Sequence, residues 1–155
     1  MTASEQFEIV FAKMPGLLKS LQSSPAFSRD GLPVLPKRAI YVFYENDDPL
    51  YVGRSNRLRL RLQEHGRPSS ERNTATFAFL LAAEEVGKRG LIFQSMQKTA
   101  WKNVPEFREL FRRAKDRVSK MKVRVVEVTD PVDQTVFEVY AALALGTPYN
   151  DFETH

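Results

Sequence analysis

Arg61, His65 and Glu138 sit in settings where a side chain of their type needs either a partner or a task. The stretch RLRLRLQEH, residues 57–65, alternates arginine and leucine as a half-buried strand would. It holds no β-branched and no aromatic residue, however, and Leu, Arg and Gln are strong helix formers. Ser55 and Asn56 are suitable N-caps, and Gly66 with Pro68 is a stop, so the pattern predicts a helix over 57–65. On it Leu58, Arg61, Leu62 and His65 share one face. Arg57 and Arg59 turn to solvent, while Arg61 and His65 flank the leucines that dock the helix and so need partners or a role. Glu138 is the only charged residue in QTVFEVYAALALGTP. A helical wheel puts Val132, Val136, Val139, Tyr140 and Leu143 in the main stripe and Glu138 on the other side, exposed. Residues 136–145 are apolar nearly all round, though, and a carboxylate covered there would need a counter-charge or a metal ion.

Composition narrows the chemistry. There is no cysteine, which excludes disulfides, thiol nucleophiles and thiolate metal sites, and two histidines leave no multi-histidine zinc centre. The 155 residues match one ordinary domain, and 43% hydrophobic with 27% charged residues fits a globular chain with a real core. No apolar run approaches the roughly 18 residues of a membrane helix, and MTASEQFEIVFAKM does not read as a signal peptide. A cytoplasmic protein with no membrane partner is expected. The net charge of +4 is unevenly spread. Arg54–Arg72 holds six arginines against two glutamates, and Lys98–Arg124 ten basic residues against three acidic ones. From Val125 onward there are six acidic residues and no Lys or Arg. That asymmetry fits a surface facing a polyanion, with solvated helix faces as the plain alternative.

The elements that must position these residues can be read in outline. Residues 5–21 have helical spacing, which Pro15 breaks or kinks. Residues 23–38, rich in Pro, Gly and Ser, read as a loop. AIYVFYE (39–45) and LYVGR (50–54) read as strands joined through NDDP into an antiparallel hairpin. A helix is predicted over 74–85, followed by a turn at GKRG, with 91–102 left open. Asn103 and Glu106 read as a capping box opening a helix to Met121, and KVRVVEV (122–128) as a strand. Asp130-Pro131 starts a last helix to about Leu145, ended by Gly146 and Pro148.

Four further residues complete a pattern. The hairpin carries A-I-Y at 39–41 and Y-V-G at 51–53; Arg61 follows eight residues after Gly53, and His65 one helical turn later. Glu138 lies in the last helix, and Pro148-Tyr149-Asn150 follows. Singly these are ordinary: strand tyrosines are usually core, a strand glycine a bulge, a lone histidine a surface residue and Asn150 a turn. In this order and spacing the chain resembles the GIY-YIG nuclease family, with Ala39 in place of the first motif glycine and Val52 in place of the central isoleucine. The matching parts are roughly 39–65 and 122–150.

The resemblance implies an α/β (α+β) fold, a small three-stranded antiparallel sheet flanked by helices. It would make residues 1–155 a single domain, with 1–37 an N-terminal helix and loop, 38–150 the catalytic core and 66–121 a helical insertion. It implies an endonuclease that hydrolyses phosphodiester bonds with one divalent ion, Mg2+ or Mn2+. Glu138 would be the metal ligand and Arg61 would contact the scissile phosphate, where its planar fork matches the oxygens. Tyr41 would be the favoured base, with Tyr51 positioning and His65 assisting; the reverse tyrosine assignment stays open. Gly53 and Asn150 would support the site, and Arg54, Arg57 and Arg59 would track the nucleic-acid backbone. DNA is the favoured polymer over RNA. A non-catalytic nucleic-acid-binding module on the same fold is the alternative, and a homodimer is compatible with cutting two strands.

Overall fold

The computed structural model describes residues 1–152. The chain divides into two compact units, Met1–Leu60 with the chain from Met121 onward, and Arg61–Lys120. The first unit opens with α1 (Ala3–Ala12), α2 (Met14–Ser23), β1 (Phe27–Ser28), β2 (Ala39–Glu45) and β3 (Asp48–Ser55). Helix α3 (Leu58–Gly66) begins in this unit and ends in the second, which continues with α4 (Thr76–Arg89), short 3-10 turns at Ile92–Ser95 and Lys98–Asn103, and α5 (Pro105–Ser119). Strand β4 (Lys122–Glu127) and α6 (Pro131–Leu145) return to the first unit.

The class is as expected, α/β with an antiparallel sheet and flanking helices, but the sheet has four strands, in the order β1-β4-β2-β3, rather than three. The added strand, β1, lies inside the segment read as a loop and pairs Phe27 with Val123 and Ser28 with Lys122. Two residues carry too little alternation to be read locally. The β2–β3 hairpin turns at Asn46 and Asp47, both with positive φ (51° and 67°). That conformation suits a two-residue hairpin turn, and Asn and Asp tolerate it. One face of the sheet supplies Ile40, Val42 and Val52 to a core with Met14, Leu21, Val128, Phe137, Ala141 and Ala142.

The break read at Pro15 is present: two helices meet there, with Pro15 in the first turn of α2, where its missing N–H is harmless. Two other helix readings are corrected. The capping box at Asn103 does not form: Pro105 opens α5, so the cap position falls to Val104, with no side-chain cap bond. Helix α4 runs through the expected turn to Arg89 and ends at Gly90, whose φ of 59° stops it. The start of α6 is as read, with Asp130 accepting from the Val132 and Asp133 N–H groups at 2.9 and 3.0 Å. Its inward face is not. Gln134, Phe137, Ala141 and Ala142 are buried, whereas Val132, Val139 and Leu143 are exposed. An all-round apolar helix has no single stripe for a wheel to find.

The second unit is held by aromatic rings. Phe79, Phe93, Trp101, Phe107 and Phe111 contact one another at centroid distances from 5.1 to 6.2 Å. The Trp101 indole N–H donates to the Phe93 carbonyl at 3.1 Å, which satisfies its one donor inside this cluster. No helix of the described residues is long and apolar enough to cross a membrane.

Candidate active site

Tyr41 and Phe43 alternate with Ile40 and Val42 and therefore occupy the sheet face opposite the α6 side. Gly53 lies directly across from Tyr41, and Tyr51 across from Phe43. The Tyr41 ring meets Phe43 edge-on at 5.7 Å and is 1% exposed. It lies over Gly53: a Cβ there would stand 2.7 Å from the ring Cε2 and closer still to Cζ and Oη. The glycine of Y-V-G is thus the space in which Tyr41 lies, not a bulge. Tyr51 is partly exposed.

Glu138 lies on α6, on the inward side the wheel did not give it, with a side chain 25% exposed. Its nearest cation is Arg54, whose Nε stands 3.8 Å away and whose guanidinium also donates to the Thr135 hydroxyl at 3.2 Å. Burial pushes the carboxyl pKa up, and the Arg54 charge offsets this only in part. A largely covered carboxylate that its one cation only partly offsets is a group that a bound cation would stabilise. Among the described residues no group of three or more His, Asp or Glu side chains could hold a metal ion. An ion here would have to be held by the single Glu138 carboxylate, with waters and phosphate completing its shell.

Asn150 grips the outer edge of β3 as a strand would. Its Oδ1 accepts from the Val52 N–H at 2.7 Å and its Nδ2 donates to the Val52 carbonyl at 2.8 Å. The Thr147 hydroxyl donates to the same Oδ1 at 2.7 Å, and the Tyr149 N–H donates to the Leu50 carbonyl at 3.2 Å. The segment after α6 thereby covers an edge strand that would otherwise present bare peptide groups.

In the second unit Arg61 is held by its neighbours. It donates to the Thr74 carbonyl at 2.8 Å, to Glu64 at 3.3 Å and to the Thr76 hydroxyl at 3.4 Å. Sequence reasoning missed these holders, although Glu64 at i+3 was a visible signal. His65 is fully buried, not a surface residue, and burial, reinforced by the Arg61 charge, holds its pKa well below the ordinary 6.5. It is a neutral imidazole at neutral pH. Arg57 and Arg59 are exposed as expected, and the Arg59 guanidinium donates to the Pro33 carbonyl at 2.8 Å. Arg54, expected to face nucleic acid, is about half-exposed and committed to Glu138 and Thr135. That pairing had no sequence signal, because it depends on where α6 crosses β3.

The family model of the GIY-YIG catalytic domain matches residues 37–112, a segment that contains both tyrosine motifs, Arg61 and His65. This match supports the resemblance to the GIY-YIG nuclease family. Glu138 and Asn150 lie beyond the matched segment. No curated protein and no solved structure matches the chain.

Proposed function

We propose that the protein is a divalent-metal-dependent endonuclease that hydrolyses phosphodiester bonds in nucleic acid, with DNA as its polymer. The observation that carries this is Glu138, a largely covered carboxylate with one cation 3.8 Å away, in a chain whose GIY-YIG segment supplies the tyrosines, Arg61 and His65. Glu138 would hold Mg2+ or Mn2+. When bound, such an ion supplies Lewis-acid stabilisation of the phosphoryl charge and of the leaving oxygen. Arg61, held by Glu64 and the Thr74 carbonyl, would contact the scissile phosphate. Tyr51, the more exposed tyrosine, would orient the attacking water and could take its proton only as a phenolate, which a phenol of ordinary pKa near 10 becomes only beside a cation. Tyr41, buried over Gly53, is the positioning residue, which reverses the roles favoured from sequence. His65 assists as a neutral hydrogen-bonding group. Asn150 braces β3, which carries Tyr51. Arg54, Arg57 and Arg59 follow the backbone.

The test is cleavage of plasmid, branched, single-stranded and RNA substrates with Mg2+ or Mn2+ present or chelated, with Glu138→Ala in parallel. Metal-dependent cutting by the wild type alone is expected. Salt-sensitive binding by both proteins without cutting would replace this reading with the non-catalytic binding module.

A further inference from the structure

The second unit contains a cavity of about 550 Å³ lined by none of the residues assigned so far. That volume is within the range of small-molecule sites, roughly 300–1,000 Å³. Its floor is aromatic. Phe111, partly exposed, stacks on buried Phe107 at 5.9 Å and meets Phe79 edge-on at 5.9 Å. Its wall is cationic, with six Lys or Arg residues against Glu71. Three of these cations already lie on rings, Arg72 at 4.6 Å from the Phe79 centroid, Lys115 at 4.3 Å from that of Phe111 and Lys98 at 6.0 Å from that of Trp101. Lys115 is built into the wall: its ammonium donates to the Pro68 and Ser70 carbonyls at 2.6 and 2.8 Å, leaving a third N–H. On the same wall, Ser70 is 6% exposed and its hydroxyl has no partner.

The cations around the cavity are only partly answered: Arg112 pairs with Glu109 at 2.6 Å. Elsewhere in the unit, Lys88, Arg89, Arg113 and Lys120 are each answered by a carboxylate one helical turn away. Among the described residues, no carboxylate pairs with Lys98, Lys102 or Arg108. Unanswered cations beside a partly exposed aromatic ring suit a base and its phosphates, because any base has a π-face to stack and its phosphates need counter-charge. An acidic peptide would use the cations and leave the rings idle. A base inside a paired duplex has no free face to offer.

We propose that this cavity holds an unpaired nucleotide of the nucleic-acid substrate, its base on Phe111 and its phosphates among Lys98, Lys102 and Arg108. The substrate class is then single-stranded nucleic acid, or a duplex with an unpaired or flipped segment. This deepens the nuclease reading and rests on nucleic acid being the ligand.

The experiment is fluorescence anisotropy with a labelled single-stranded oligonucleotide, its fully paired duplex, and a labelled acidic peptide, all with chelator present. The proteins are the wild type, Phe111→Leu and Lys98→Ala/Lys102→Ala, and metal-dependent cleavage is measured separately. The wild type is expected to prefer the single strand, and each variant to weaken that binding by about fivefold or more. Lys98 and Lys102 are exposed, so the double variant tests the cavity without disturbing the core. Unchanged single-strand affinity in both variants would overturn the cavity proposal while cleavage left the nuclease reading intact. Binding of the acidic peptide in preference to the single strand would also overturn it. Variant-sensitive binding without any cleavage would support the cavity and remove the nuclease reading instead.

Discussion

Gly53 faces Tyr41 across the β2–β3 ladder so closely that the tyrosine ring fills the space a side chain at position 53 would need. Gly53→Ala should therefore force either the ring or the strand to move. Overpacking of this kind costs about 1–3 kcal/mol, and chemical denaturation should read a loss of that size. In a Tyr41→Leu background the shorter side chain frees that space, and the same substitution should cost less. Additive losses in the double-mutant cycle would show that the two positions are not coupled.

Asn150→Ala should loosen β3. The Val52 N–H and carbonyl point to the outer edge of the sheet, where Asn150 takes the place of a strand partner. Leaving such part-buried groups unpaired costs about 1–3 kcal/mol. Hydrogen exchange at the Val52 amide should accelerate in the variant more than exchange at amides between β2 and β4. Uniform acceleration would mean that the loss is global and not at this edge.

Much of this arrangement was legible in the sequence, for reasons that can be named. The hairpin could be read because Ile40 and Val42 alternate with Tyr41 and Phe43, and because Asn46-Asp47 is a strong turn signal; that Asp48 and Pro49 already belong to β3 was not legible. The outward arginines, Arg57 and Arg59, followed from helical spacing alone. The site residues came from order and spacing in the motifs. What could not be read depends on tertiary partners. Strand β1 exists only because Val123 and Lys122 pair with it. The inward face of α6 is chosen by Ile40, Val42 and Val52, which no wheel of α6 contains. The burial of His65 and the approach of Arg54 to Glu138 are of the same kind.

Glu138 gives a prediction with a sign. Burial raises its folded pKa above the unfolded value, so the protonated form favours the fold. Its contribution to stability is best at low pH, falls as pH rises from the unfolded to the folded pKa, and stays low above that. Without metal, Glu138→Gln should thus be at least as stable as wild type at neutral pH. With Mg2+ the order should reverse, because an ion bound only to the folded state raises the wild-type Tm. Equal Mg2+ shifts in both proteins would place the metal ligand elsewhere.

His65 predicts the opposite slope. Its folded pKa lies well below the ordinary 6.5, so the unfolded chain binds the proton more tightly. Stability should fall as pH drops below about 6.5, the unfolded value, and continue falling to the depressed folded pKa. His65→Gln has no such proton, and its stability should vary less with pH over that window. Identical profiles would mean that another group sets the acid limb.

Arg61 combines a structural and a chemical role, and the two can be separated. Its guanidinium satisfies the Thr74 carbonyl and pairs with Glu64, whose side chain is only 10% exposed. Arg61→Ala leaves both without it, so a stability loss of about 1–3 kcal/mol is expected whatever the arginine does for the substrate. Arg61→Lys keeps the charge but loses the fork that can hold these groups and a phosphate oxygen together. Cleavage by this variant should fall by about a hundredfold, the size of losing one preorganised donor, while salt-dependent binding persists. Glu64→Gln weakens the same ion pair without touching the arginine, and it should keep most activity. If Glu64→Gln slowed cleavage as much as Arg61→Lys, Arg61 would be acting through the fold; a wild-type rate for Arg61→Lys would take the fork out of the chemistry.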